Sequence, residues 1–268
     1  MGIGREEVVM GRFVLIAVLI SLGTMGSVRA EESDAERQAR WQDLRHAVFG
    51  DRTVEDGAGT ITLDAPSRAL DAALVPITID LPGPAKVKTV YLMIDENPSP
   101  LAGTFHFGPA ADTRELRTRV RVDAYTLMHA VAETEDGRLF MAERYVKAAG
   151  GCSAPSTKDA KLALERLGQM KLKPAGDAVQ LLISHPNFNG MQMDQLTRNY
   201  TPARFIQDVR VTRGDALVFD LEADISLSED PAITFGVVGK TPAPITVEVH
   251  DSANATFRQS FDGPGKGS

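Results

Sequence analysis

The stretch "ELRTRVRVDA", Glu115 to Ala124, places Leu116, Thr118, Val120 and Val122 on one side of an extended chain and Arg117, Arg119 and Arg121 on the other. Successive side chains of a strand point to opposite faces, so an apolar row alternating with a charged row marks a strand with one buried side. The same period runs through Val75, Ile77, Ile79 and Leu81 against Pro76, Thr78 and Asp80. On this reading the three arginines form one solvated strand face; docking of a charged partner is the alternative.

Outward from this stretch the pattern repeats. "TEDGR", Thr134 to Arg138, is an Asp-Gly hairpin turn between two apolar runs, and the strand "RLFMAERYVKA" runs out at Ala149. Further on, "AVQLLISHP", "RFIQDVRVTRGDALVFDLEAD", "AITFGVVG" and "ITVEVHD" give at least five more strands, with a second hairpin signal around Gly214. Two segments break the period. "SDAERQARWQDLRHAVFG" opens with a capping box, Ser33 and Glu36, and puts Trp41, Leu44 and Val48 on one helical face. "STKDAKLALERLGQMKL" reads as a connecting helix capped by Ser156 or Thr157 and carrying Leu162, Leu164, Leu167 and Met170. The expected fold is all-β, a sandwich in each half, with a short N-terminal helix and a helical linker.

The first thirty residues read as a cleaved secretory signal: Arg5 and Arg12, the apolar run "FVLIAVLISLG" from Phe13, and small residues before a cut after Ala30. Met10 offers an alternative start. The run is shorter than the ~20 residues of a membrane span, and no cysteine follows the cut to take a lipid, so a periplasmic product with no membrane attachment is expected. A formal net charge of -7 argues against nucleic acid and anionic membranes as partners. The expected organisation is a signal peptide over 1–30, a β-sandwich over 31–152, a linker helix over 153–174, a second sandwich over 175–262 and a disordered tail over 263–268.

Between the halves lies the one cysteine, in "YVKAAGGCSAPS". Cys152 cannot form an internal disulfide, and in an oxidising compartment an unpaired thiol meets a partner molecule or does chemistry. With Gly150, Gly151, Ser153, Ala154 and Pro155 around it, the segment reads as a flexible arm presenting an uncovered thiol, modestly activated by Lys147, Lys158 and the following helix. The competing reading is an accidental surface cysteine. A metal-delivery site built from Cys152, His185, Met191 and Met193 is a third reading, but the five histidines are scattered, with no pair at ligand spacing, and no metal is expected. No Walker or dinucleotide loop and no Gly-x-Ser-x-Gly elbow occurs, so no catalytic residues and no cofactors are assigned.

"YVKAAGGC" resembles the end of the SoxY sulfur carrier, and "LLISHPNFNGM", "PARFIQDVRV" and "SEDPAITFGVVG" resemble its partner SoxZ. The whole resembles the fused SoxYZ-like carriers associated with quinoprotein dehydrogenases. The resemblance implies an immunoglobulin-like sandwich for each half and a non-enzymatic periplasmic carrier that holds sulfur intermediates covalently on Cys152. Its implied partners are periplasmic redox enzymes of thiosulfate oxidation or of a quinoprotein dehydrogenase system. The alternative is a docking or assembly module with no covalent role for Cys152. One departure stands out: the SoxY cysteine lies near a chain end in a Gly-Gly-Cys-Gly-Gly arm, whereas Cys152 is internal and followed by "SAPS", which tethers the arm at both ends and shortens its reach.

Overall fold

A computed structural model of the chain describes residues 1–2, 32–155, 160–194, 197–239 and 243–262. The expected signal segment apart from its first two residues, the expected caps Ser156 and Thr157, Lys158 and the expected tail lie outside them. The capping box forms as read: the Ser33 side chain accepts from the Glu36 backbone and Glu36 reaches back to the Ser33 N–H, opening helix α1 (Asp34–Phe49). Eight strands follow: β1 (Val54–Asp56), β2 (Thr62–Asp64), β3 (Val75–Asp80), β4 (Val87–Ile94), β5 (Leu101–Phe107), β6 (Ala111–Val120), β7 (Thr126–Thr134) and β8 (Leu139–Val146). Both hairpin turns read from the sequence are present, the first joining β7 to β8.

The second half contains helix α2 (Ala160–Glu165) and strands β9 (Met170–Ala175), β10 (Ala178–Ile183), β11 (Ile206–Arg213), β12 (Ala216–Ala223), β13 (Ala232–Val237), β14 (Ile245–Asp251) and β15 (Thr256–Phe261). The linker differs from the expectation. Its helix stops at Glu165, and Met170, expected on that helix, begins an edge strand paired antiparallel with β10. The break comes at Gly168, where φ is +76° and a Cβ would fall 1.9 Å from the Phe257 ring, a place for glycine alone.

Two sheets stack face to face. One runs β1-β8-β7-β4-β5-β12-β11-β14-β15 and the other β2-β3-β6-β13-β10-β9. Each half of the chain contributes to both, and the halves join edge to edge, β5 to β12 and β6 to β13, both antiparallel. Such joining removes four free sheet edges, which otherwise expose unpaired backbone groups to aggregation. The core is correspondingly continuous: Phe105 meets Phe219 at 5.9 Å between ring centroids and Phe219 meets Phe235 at 4.9 Å, linking residues of both halves and both sheets. Helix α1 packs Trp41 and Phe49 onto Met93, Val131 and Leu139, on the face of the nine-stranded sheet turned away from that core.

Candidate functional site

After β8 the chain loses its regular ladder but not its partners. Lys147 N–H donates to Ser67 O at 2.9 Å, Gly150 N–H to Asp123 O at 2.7 Å and Gly151 N–H to Val122 O at 2.9 Å. Gly151 presses so closely on its surroundings that a Cβ would lie 2.0 Å from Ala72 O and 2.6 Å from Val122 O. The glycine read as a source of freedom is a point of close approach. Freedom and close approach both select glycine, and sequence alone does not separate them.

Cys152 follows with its side chain fully buried. This corrects the expectation of an uncovered, mildly activated thiol. Burial first, and the nearby Asp123 second, push the thiol up to about 12, against a smaller opposing effect of Arg121. The thiolate, the nucleophilic form, is disfavoured in this seat. Lys147, expected to favour the thiolate, instead lies over the rings of Tyr125 and Tyr145 at 5.8 and 5.7 Å.

The second half supplies a hydrogen bond to this segment. Asn189 Nδ2 donates to Cys152 O at 2.7 Å across 37 residues of sequence. The loop bearing Asn189 is held at each turn: its own N–H donates to Gln192 Oε1 at 3.0 Å, and its Oδ1 accepts from Met191 N–H at 3.0 Å. Asn187 donates to Ser228 O at 2.8 Å and accepts from Ile206 N–H at 3.0 Å. His185 anchors the loop's base. Its Nδ1 accepts from Asn187 N–H at 3.0 Å, which leaves the ring proton on Nε2, facing Asp251 Oδ2 at 3.5 Å. Burial lowers the His185 pKa, so the ring stays neutral, and Asp251 is held in turn by Arg204 at 2.8 Å. With both nitrogens engaged, His185 is a loop brace and does not join Cys152 as a metal ligand; among the described residues no group of three or more His, Cys, Asp or Glu side chains gathers around a possible ion.

From the first half comes Arg121. The ladder of β6 ends at Val120, and the backbone then turns inward: Arg121 N–H donates to Ser226 O and Val122 N–H to Ala72 O, both at 2.8 Å. Asn97 clamps this turn by donating to Arg121 O and Ser226 Oγ, each at 2.8 Å, and accepting from Asp123 N–H at 2.9 Å. Arg121 is 1% exposed, and its guanidinium donates through Nη1 to Gly151 O at 3.2 Å. This corrects the solvated-face reading for Arg121, because the two-residue period holds only while the strand does. Arg117 keeps that face, and Arg119 is intermediate, donating to Asp230 O at 2.9 Å. Asn97, Arg121 and Asn189 were missed as site residues; the one local signal was an arginine placed directly where a strand pattern gives out before Asp123.

Cys152 therefore sits at the meeting of the two halves. Residues 45–152 match the family described as Sulfur oxidation protein SoxY, and residues 169–262 match Sulphur oxidation protein SoxZ. The chain joins a SoxY domain to a SoxZ domain and is a fused SoxYZ-like protein. Cys152 is the last residue of the SoxY match, while His185 and Asn189 lie within the SoxZ match. The two β-sandwich halves are thus the immunoglobulin-like domains of SoxY and SoxZ. Among solved structures the chain is similar to the sulfur carrier protein SoxY from Chlorobium limicola f thiosulfatophilum, at 24% identity and a TM-score of 0.37, covering 42% of this chain and 96% of that one. It is also similar to superoxide reductase (neelaredoxin) from Ignicoccus hospitalis, at 14% identity and a TM-score of 0.30, covering 34% and 82%. No curated protein matches.

Proposed function

We propose that this SoxYZ-like protein is a periplasmic, non-enzymatic carrier that holds sulfur intermediates covalently on Cys152 and presents them to partner redox enzymes. The observation that supports this best is positional: the single cysteine ends the SoxY match, and its backbone carbonyl is held by Asn189 of the SoxZ-like half. In the closed arrangement the thiol is inert, so loading requires the Cys152 segment to leave its seat, breaking the Asn189 and Arg121 contacts. Loading then balances by exchange. The Cys152 thiolate attacks a sulfenyl sulfur of tetrathionate, a new S–S bond forms, the donor's central S–S bond breaks and thiosulfate leaves with the electron pair, the thiol proton having gone to solvent. No outside oxidant is consumed. Attack by a second nucleophile on the carried sulfur breaks its bond to Cys152, and the Cys152 thiolate leaves with the electron pair.

Export to the periplasm rests on residues 1–30, and among the described residues no helix is long and apolar enough to cross a membrane. The thiosulfate or quinoprotein dehydrogenase connection rests on family resemblance. Complementation of a deletion strain tests the proposal: Cys152→Ser abolishes rescue of growth on the reduced sulfur or alcohol substrate concerned, and full rescue by that variant overturns it. A second reading, a docking module with no covalent role for Cys152, is favoured by one observation, the burial that drives the thiol up to about 12. Under it the Cys152→Ser variant rescues fully.

A further inference from the structure

Arg121 is fully buried, yet its Nε and Nη2 find no acceptor among the described residues. A guanidinium is always charged, and leaving its donors buried and unpaired is costly unless an acceptor is to be received there. Its third nitrogen fixes its place, since Nη1 donates to Gly151 O, the carbonyl directly preceding Cys152. Its charge also acts on the Cys152 thiol and is acted on by it. The site thus sets two unpaired donors of a planar guanidinium near the Cys152 sulfur, and such a fork matches two oxygens of a sulfonate-like group.

We propose that Arg121 is an internal receptor for the anionic end of the group carried on Cys152, so that the closed protein holds oxyanion-terminated sulfur adducts in preference to neutral ones. This rests on the carrier reading above. Glu229, Asp71 and Asp123 lie near enough to Arg121 or Cys152 to act electrostatically on them, and they oppose an incoming anion. Selectivity therefore comes from directional pairing with Nε–H and Nη2–H and not from a positive potential. Arg121 is a positioning residue: it takes no part in bond making.

The test compares two adducts on the full mature protein. Sodium tetrathionate gives Cys–S–S–SO3⁻ with release of thiosulfate; methyl methanethiosulfonate gives Cys–S–S–CH3 with release of methanesulfinate. Each is brought to completion by intact mass. The rate of reductive removal by a small thiol is then divided into the rate for the same adduct on denatured protein, which cancels intrinsic reactivity. In the wild type the anionic adduct is protected at least about tenfold more than the methylthio adduct, as a charge-assisted bidentate pair requires. Arg121→Met brings the ratio to about one and Arg121→Lys leaves it between, because a lysine supplies charge without the fork. Equal protection of the two adducts in the wild type overturns the proposal without any variant, and so does a ratio that survives Arg121→Met. Failure here leaves the carrier reading standing if Cys152 bears sulfur in the native protein, while a bare native thiol sinks the carrier reading whatever this ratio shows.

Discussion

Arg117 and Arg121 stand four residues apart on what the sequence presents as one charged strand face, and they meet opposite fates. Arg117 lies within β6, exposed, paired with Glu115 on its own strand. Arg121 lies one residue past the end of β6, buried, touching the backbone that carries the only cysteine. The side-chain alternation of a strand is a local rule with a definite end, and the residues just beyond that end are placed by tertiary contacts. Here those contacts are the Asn97 clamp and the Ser226 and Ala72 carbonyls. The candidate site lies where the local rule stops.

Substitutions on the buried side of this divide carry large effects and those on the exposed side small ones. Gly151→Val has the largest. Its Cβ meets two backbone oxygens at 2.0 and 2.6 Å, neither able to yield, so a loss of about 3 kcal/mol or more in folding stability is expected by denaturant titration. A value under about 1 kcal/mol would show that the Cys152 segment is not seated as described.

The pH dependence of stability comes next. A thiol whose pKa in the folded protein is raised to about 12 prefers the protonated form, so its contribution is full below the unfolded-state value near 9 and is lost as pH rises toward 12. Wild-type stability falls in that window by up to about 1.4 kcal/mol per pH unit relative to Cys152→Ala. Parallel curves for the two proteins between pH 9 and 11 would place the sulfur in water.

Asn189→Ala removes the contact from the second half to Cys152 O, worth about 1 kcal/mol, and the labelling rate of the native thiol by a chromogenic disulfide rises by about fivefold to tenfold. An unchanged rate means that the segment opens by another route. Arg117→Ala, the control on the exposed side, changes stability by less than about 0.5 kcal/mol in the same titration and leaves the labelling rate alone.

Much of the fold is legible in the sequence because its signals are local. The Ser33–Glu36 capping box, the Asp-Gly turn at Gly137, the turn at Gly214 and the alternation of Val75 to Leu81 each need only a few neighbouring residues to declare themselves. Strand β9 is hidden because Met170 and Leu172 also fit a helical stripe, and only Gly168 packed against Phe257 settles the matter. Edge-to-edge joining of the halves through β5–β12 and β6–β13 has no local signature at all. The candidate site divides in the same way. Cys152 stands out in the sequence as the single thiol between two β-rich halves, but its backbone is held by Asn189 and its charged neighbour comes from beyond a strand end, contacts spanning 37 and 30 residues.

Intact mass spectrometry of the mature protein, purified from its native compartment without reductant and compared with a reduced aliquot, tests the central claim most directly. A sulfur carrier shows reductant-sensitive increments of whole sulfur or sulfur–oxygen groups that map to Cys152. A bare thiol across growth conditions contradicts the covalent role and leaves a docking module in its place.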